Sequence, residues 1–263
     1  MKKYNWNIII QEYKDGATSK ELSTKYGVHR NTLNAKLRSL NIPRHTRAYS
    51  DNKNCTSFDN TVFNTINESS AYWVGFLMAD GCITIRPNGK QAELTLAVSE
   101  KDYGHLVKYK YFLKSNHKIT SYSSGYSNNK IVRLSISALT FVKSLSKYNL
   151  VPCKSHTATP PDCLIYNKDF WRGMIDGDGW ITTHSTNKHP VIGLCGSKET
   201  MKAFQQFLKS INIQTNYYPD KSIYRLQVYK ESKELINYMY KNSKIYLERK
   251  YNIAKEYFND ITK

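Results

Sequence analysis

At 263 residues the chain can hold one large or two modest domains, each able to bury a core. Its 39 Lys and Arg against 21 Asp and Glu leave a formal charge of +18, which favours a polyanionic partner, nucleic acid first. No apolar run approaches the roughly 20 residues a membrane span needs, and Trp6 to Ile10, with Glu12 close behind, is too short for a signal peptide.

Five cysteines (Cys55, Cys82, Cys153, Cys163, Cys195) show neither a CxxC pair nor histidine partners at zinc spacing, so they read as reduced, mostly structural thiols. The expectation is an intracellular protein without membrane contact, not secreted, and either cytoplasmic, as in a bacterial or phage-infected cell, or organellar. The abundance of Lys, Asn, Ile and Tyr reads as coding bias of an AT-rich genome.

Residues 1–42 form the first expected domain, all helical. Within them "SKELSTKYGVHRNTLNAKLRSLNI" reads as a helix-turn-helix. Leu22, Tyr26, Val28, Leu33, Leu37 and Leu40 give an apolar seam at helical spacing, and Gly27 sits at the tight turn. Ile8, Ile9 and Tyr13 supply a preceding support helix. The second helix then offers His29, Arg30, Asn31 and Asn34, residue types that reach base edges or phosphates. Residues 43–57 lack periodicity and carry Arg44 and Arg47, which suit a basic linker laid along phosphates; two modest binding surfaces on one chain then gain avidity.

From there the chain repeats itself. "YWVGFLMADGCIT" (Tyr72 to Thr84) returns 98 residues later as "FWRGMIDGDGWIT" (Phe170 to Thr182), and over positions 72–101 that shift gives nine identities in thirty, against about two expected by chance. Two copies are expected, residues 58–160 and 161–263, each reading helix, hairpin, helix, hairpin, helix. In the first, the hairpins turn at Pro87-Asn88-Gly89 and Ser124-Gly125, with a closing helix from Ala138 to about Tyr148; in the second, a hairpin turns at Pro219-Asp220. The return strands place Val132, Leu134 and Ile136, and Tyr224, Leu226 and Val228, on one face, leaving Arg133 and Arg225 opposite. The polar faces and turns also carry Arg86, Lys90 and Gln91 in copy one and His184, Lys188 and Gln227 in copy two, a surface suited to a polyanion.

Gly75 with Ala79, and Gly173 with Gly177, leave one stripe of each repeated helix nearly bare. Packing by those stripes brings Asp80 and Asp178 together at one end. Adjacent carboxylates repel unless a cation lies between them, and a hard divalent ion such as Mg²⁺ takes oxygen ligands. Further ligands from backbone carbonyls near these helix ends stay unassigned. Lys154 and Lys250 follow the two acids by 74 and 72 residues and are candidates to polarise water or developing charge; solvated or phosphate-contacting lysines are the bland alternative.

These residues resemble the two signature helices of the LAGLIDADG homing endonucleases in their single-chain, double-motif form. The resemblance spans residues from about 58 to 263. It implies an α/β (α+β) fold of two pseudo-symmetric units whose curved antiparallel sheets straddle the DNA major groove. It also implies that Asp80 and Asp178 bind two or more divalent ions, with Mg²⁺ expected, and that one phosphodiester is hydrolysed on each strand. The sixth motif position is Met78 in one copy and Asp176 in the other, and it is not a metal ligand of the family.

Three function classes follow: a site-specific double-strand DNA endonuclease acting as a monomer, an RNA-binding intron maturase, and a catalytically inactive DNA-binding regulator. Both acids are retained, which disfavours the third, and the helix-turn-helix disfavours the second as sole role.

Overall fold

The structure, a computed structural model, describes residues 4–43, 56–123, 130–154 and 157–258. The chain divides into two compact units, Met1–Thr56 and Ser57–Lys263, taken here in turn. The expected linker residues Arg44 and Arg47, Cys55, and the Ser124-Gly125 turn lie outside the described residues.

The first unit holds three helices: α1 (Trp6–Lys14), α2 (Ser19–Tyr26) and α3 (Arg30–Ser39). Thr18 and Glu21 form a reciprocal capping box that starts α2, and Gly27 ends it at φ 61°, a left-handed conformation that favours glycine. Ile9, Tyr13, Leu22, Val28, Leu33 and Leu37 make a small core. Ile8, expected in the support helix, and Leu40, expected in the seam, are instead 48% and 45% exposed; Ile8 sits one position from buried Ile9, and Leu40 is the C-cap of α3, past its last helical residue.

The second unit is built from two copies of one plan. Copy one runs α4 (Glu68–Asp80), β1 (Gly81–Ile85), β2 (Ala92–Ser99), α5 (Tyr103–Phe112), β3 (Thr120–Ser123), β4 (Lys130–Ser137) and α6 (Leu139–Ser144). Copy two runs α7 (Lys168–Asp178), β5 (Gly179–Thr183), β6 (Pro190–Gly196), α8 (Lys198–Ser210), β7 (Tyr217–Asp220), β8 (Ile223–Val228) and α9 (Ser232–Tyr240), followed by the short helix α10 (Glu248–Ala254). The sheets have equivalent orders, β1-β2-β4-β3 and β5-β6-β8-β7, all antiparallel. Their registers match as well, with Gly81 opposite Leu96 and Gly179 opposite Leu194.

An asparagine caps each motif helix: Asn67 Oδ1 accepts from Ser70 N at 3.0 Å, and Asn167 Oδ1 from Phe170 N at 3.1 Å. Both helices are buried nearly all round, as expected for elements sandwiched between two sheets with their helices. They cross at Gly75 and Gly173. A Cβ added at Gly75 would lie under 3.0 Å from Phe170 O, and one at Gly173 under 3.0 Å from Tyr72 O. The neighbour is the carbonyl three residues before the opposite glycine in each case, so the contact is reciprocal, as a twofold requires. Toward the C-terminal ends, a Cβ on Gly177 would collide with that of Ala79.

Two sequence expectations shift by a few residues. Pro219 and Asp220 belong to strand β7, and the turn falls at Lys221-Ser222, with Lys221 at φ 55°. Proline is tolerated there because β7 is an edge strand. Ile85, expected on the apolar face of β1, is 40% exposed where the ladder runs out into the hairpin turn. The closing helix of copy one is α-helical over Leu139–Ser144 and tightens to a 3₁₀ turn over Leu145–Tyr148. Cys82, Cys153 and Cys163 are exposed and Cys195 is half-buried, so the described thiols are not core residues. No helix among the described residues is long and apolar enough to cross a membrane.

Gly75→Ala should destabilise the protein by at least about 2 kcal/mol, because the clash is with backbone that cannot rotate away. Gly104→Ala, at an exposed α5 position with nothing within 4 Å of the new methyl, should be neutral or stabilising by up to about 1 kcal/mol. Urea denaturation of both variants measures the difference; equal stabilities would show that the crossing tolerates a side chain.

Candidate active site

Asp80 and Asp178 are the last residues of α4 and α7, and both open to solvent at the paired helix ends. The glycine crossing brings them close: a Cβ on Gly177 would lie 3.4 Å from Asp80 Oδ2. Neither carboxylate is involved in a side-chain hydrogen bond or ion pair among the described residues. Protein atoms crowd both groups on the sides away from solvent, and this desolvation pushes both acids above their ordinary value. For Asp80 the shift reaches about 6, with the Asp178 charge as second cause and Lys250 and Lys154 opposing it. For Asp178 burial raises the pKa, and the Lys154 and Lys250 charges oppose it.

Lys154 and Lys250 sit beneath these ends, 8% and 4% exposed. Lys154 Nζ donates to Gly81 O at 2.5 Å. Lys250 Nζ donates to Ile175 O at 2.5 Å, Asp176 O at 2.8 Å and Gly179 O at 2.6 Å, and more weakly to Gly177 O at 3.5 Å. Asp176 O and Gly177 O are carbonyls of the last turn of α7, Ile175 O also accepts from the Gly179 N–H, and Gly179 opens β5, so the ammonium gathers the carbonyls of the helix-to-strand junction. Burial lowers both ammonium pKa values, that of Lys250 to about 8, and the Asp176, Asp80 and Asp178 charges oppose the shift at Lys250. The two lysines are not local equivalents. Lys250 belongs to helix α10, which the sequence reading did not anticipate, whereas Lys154 lies in the turn after copy one's closing helix.

Asp176 takes no part in the open site. It is 1% exposed; its Oδ2 accepts from Tyr72 Oη at 2.7 Å and Leu247 N at 2.7 Å, and its Oδ1 from Tyr240 Oη at 2.8 Å. Leu247 is the N-cap of α10, so this carboxylate ties the helix bearing Lys250 to the motif helix. Arg249, also missed from sequence, enters the cleft beside Asp80, where its Nε donates to Asp102 Oδ2 at 3.2 Å. The basic doublet in "LERKY" was its only sequence signal.

The sheet faces hold the other candidates. Arg86, Lys90 and Gln91 are exposed around a hollow of about 490 Å³ at the β1–β2 turn. His184 and Lys188 are exposed at the matching β5–β6 turn, and Gln227 is exposed on β8. Arg133 lies over the Tyr122 ring at 5.2 Å with Nε 3.4 Å from Thr120 Oγ1. Arg225 lies over the Trp180 ring at 5.6 Å and pairs with Asp220 at 2.5 Å. Trp180 fills the space over Gly193, where any Cβ would strike its ring.

In the first unit Arg30 and Asn31 are exposed at the start of α3. His29 is the N-cap, accepting from Asn31 N at 3.3 Å, and half-buried Asn34 bonds Ser19 Oγ at 3.3 Å, so these two side chains already have structural partners.

Residues 166–249 match the family model described as a LAGLIDADG-like domain. Among solved structures, the chain is similar to the LAGLIDADG homing endonuclease I-GzeII in complex with its DNA target, at 14% identity, covering 73% of this chain and 89% of that one with a TM-score of 0.50. It is also similar to I-SmaMI, as a double mutant (15% identity, 73% and 90% covered, TM-score 0.51) and bound to cleaved DNA (16%, 73% and 88%, TM-score 0.50). The fold is that of the LAGLIDADG homing endonucleases. No curated protein matches the sequence. Copy two of this LAGLIDADG fold is the part that its family model recognises, and its glycine-rich helix end, "MIDGDG", is the closer of the two to the family's name.

The donor set fits a hard divalent ion. Two carboxylates face each other without hydrogen-bond partners, and no group of three or more His, Cys, Asp or Glu is gathered at a metal site among the described residues. Mg²⁺ is commonly held by one or two carboxylates and completed by water and phosphate oxygens.

The raised Asp80 pKa fixes a sign for stability. Between its ordinary value of 3.8 and about 6, the metal-free native state binds more protons than the unfolded chain, so Asp80 makes stability fall as pH rises through that window. Asp80→Asn should therefore raise Tm at neutral pH in chelator and leave it unchanged near pH 4. Thermal melts across this range check it; an Asn variant less stable at neutral pH would mean the carboxylate is favourably paired.

Proposed function

We propose that the protein is a site-specific, divalent-metal-dependent endonuclease that hydrolyses one phosphodiester on each strand of a long DNA target. The observation that carries this reading is the pair of unpartnered carboxylates at the glycine-packed helix ends, with two buried lysines beneath and two basic sheet faces beside them. I-GzeII and I-SmaMI were crystallised on DNA, which supports the same partner here.

In this reading Asp80 and Asp178 hold two or more Mg²⁺ ions. Such ions stabilise charge on the attacking and leaving oxygens of a phosphodiester and acidify water. The protein supplies position and field. The helix crossing fixes the two carboxylates relative to each other, Lys250 holds the carbonyls at the end of α7, and Lys154 holds Gly81. Their ammonium charges lie close enough to both acids to oppose the dyad's repulsion. Lys154 and Lys250 thus act on developing phosphate charge as well as on the ligands, and Arg249 adds a cation on the Asp80 side.

Arg133 and Arg225 read bases from equivalent strands, with Gln227, Arg86, Lys90, Gln91, His184 and Lys188 around them as further base or phosphate contacts. Because both copies lie in one chain, a monomer completes the site. The three N-terminal helices form a helix-turn-helix that extends the duplex contact through Arg30 and Asn31, with Arg44 and Arg47 along phosphates in the linker.

Asp80→Asn and Asp178→Asn should each lower double-strand cleavage by more than the roughly 10–100-fold that loss of a group merely supporting a metal ligand costs. Binding should persist, since Asn is nearly isosteric and removes negative charge near phosphate. Plasmid cleavage in Mg²⁺ beside gel shifts in Ca²⁺ reads both; wild-type-like cutting by both variants would remove the metal assignment. Absence of cutting by the unmutated protein on its bound locus would favour the regulator or maturase reading.

Deleting residues 1–56 should weaken DNA binding and shorten the footprint, while metal-dependent cleavage stays detectable at high protein concentration. The division of the chain into two compact units motivates the cut. Footprints of equal length for full and shortened chains would show that the N-terminal helices do not touch DNA.

A further inference from the structure

Helix α5 is apolar on two sides. Its inner face, His105, Leu106 and Tyr109, is buried against the apolar side of the first sheet, within the same core as Leu94, Leu96, Val132 and Leu134. Arg133 projects from the opposite side of that sheet. The outer face of α5 therefore looks away from the basic strand surface.

That outer face carries Tyr103, Val107 and Tyr111, spaced four residues apart and 48%, 41% and 86% exposed. They border a shallow groove of about 610 Å³ whose remaining charged lining is Lys110, Lys114 and Lys118. Lys114 reaches Asp59 at 2.9 Å, and the groove lining itself contains no acid.

The internal repeat provides a control for what the fold requires. Under the same 98-residue shift, Leu106 and Tyr109 become Phe204 and Phe207 of α8, all buried, whereas Tyr103, Val107 and Tyr111 become Met201, Gln205 and Lys209. Met201 is buried, and the outward side of α8 is an ordinary polar surface of Lys202, Gln206 and Lys209. An exposed aromatic stripe is thus not needed to pack this helix. It is a property of copy one alone.

We propose that the outer face of α5 binds single-stranded nucleic acid, with Tyr103 and Tyr111 stacking on bases and Lys110, Lys114 and Lys118 contacting phosphates. Exposed aromatic rings flanked by cations, with no acid in the groove, match the two demands of a single strand: π-faces for unpaired bases and positive charge along the backbone. The two rings lie about 12 Å apart along the helix, leaving room for separate bases. A duplex hides its base faces and gains nothing from the rings. The site lies outside the proposed cleavage surface and does not depend on that activity.

The test uses the full chain and a fluorescently labelled 12-nucleotide pyrimidine-rich RNA, with DNA of the same sequence in parallel, by anisotropy in excess unlabelled duplex DNA. The wild type should retain the single strand in the presence of duplex, and Tyr103→Ala/Tyr111→Ala should weaken it at least about tenfold. Lys110→Gln/Lys118→Gln should weaken binding and flatten its salt dependence, whereas Lys202→Gln/Lys209→Gln on α8 should change it less than about twofold. Retention of either sugar form supports the site, and retention of RNA alone assigns it to RNA. Equal affinity of the wild type and the tyrosine variant would overturn it, as would displacement of the single strand by duplex, or a dimer in gel filtration that the tyrosine substitutions abolish. Both tyrosines are exposed, so melting temperatures should hold; should the tyrosine variant fold poorly, the lysine variant decides, and unchanged binding there rejects the proposal.

Discussion

Two helices that touch backbone to backbone set the terms for the rest of this molecule. At Gly75 and Gly173 each helix presses a carbonyl into the space where the other would carry a side chain, and Ala79 meets Gly177 further along. Such contact brings two helix C-termini together, each with unpaired carbonyls and the negative end of its dipole. Ordinary helix rules would place Lys or Arg there. Instead each helix ends in Asp, adding like charge where the backbone already disfavours it. The fold offsets this with Lys250 and Lys154, buried cations on the carbonyls, while the carboxylates are left without partners. In the proposed reading, a pair kept in that state by packing elsewhere would take up a divalent cation.

The two copies share a backbone plan but differ around that pair. Copy two places Asp176 where copy one has Met78, and this carboxylate joins Tyr72, Tyr240 and the start of α10. It also places Arg172 where copy one has Val74; that guanidinium, fully buried, reaches Glu68, Asp169 and the carbonyls of Met239 and Ile245. Both networks cross or brace the interface from one side only. Removing one partner from a buried charged network costs far more than the network contributes as a whole, so they fix one arrangement of the helices against alternatives. The sheet faces diverge similarly, with Trp180 on β5 where β1 has Cys82. A single chain frees each copy to change separately, and under the proposed function two unlike surfaces would suit a target whose halves are not identical.

The repeat made much of this legible. Identities at Trp73 and Trp171, both fully buried, and at the paired glycines and acids point to the two-copy plan, the motif helices and the succession of helices and hairpins; packing leaves little choice of residue at the tryptophans and at the crossing glycines. Misreadings fall where local signals compete. Pro219-Asp220 has turn composition, yet the edge of a sheet accepts proline, and Lys221 takes the left-handed turn position instead. Lys250 and Lys154 were found by spacing from the acids, but their bonds to carbonyls could not be, since nothing in a sequence tells a capping lysine from a solvated one. Arg249 and the Asp176 network escaped for the same reason: they depend on which loop returns to the helix ends, a long-range fact without a local pattern.

The proposed reading surface shows the two copies reaching one physical result by different routes. Arg133 is steadied by Tyr122 and Thr120 from the edge strand β3. Arg225 is steadied by Trp180 from the opposite edge strand β5 and by Asp220 from β7. In both, an exposed guanidinium rests against an aromatic ring and one oxygen, so part of its rotamer freedom is lost before any partner arrives. A planar fork held this way forfeits less entropy on forming paired hydrogen bonds than a free side chain does. Gly193 is the residue that permits the Trp180 arrangement, since any side chain there would push the ring off the sheet. Rigidity at the base of each sheet then continues into the helix ends, because β1 and β5 begin directly at Gly81 and Gly179, the residues after the two acids. In the proposed reading, the carboxylates lead directly into β1 and β5, while Arg133 on β4 and Arg225 on β8 connect to those strands through β2 and β6, so the spacing of a base-reading side chain and a carboxylate is set by the sheet ladder and not by flexible loops.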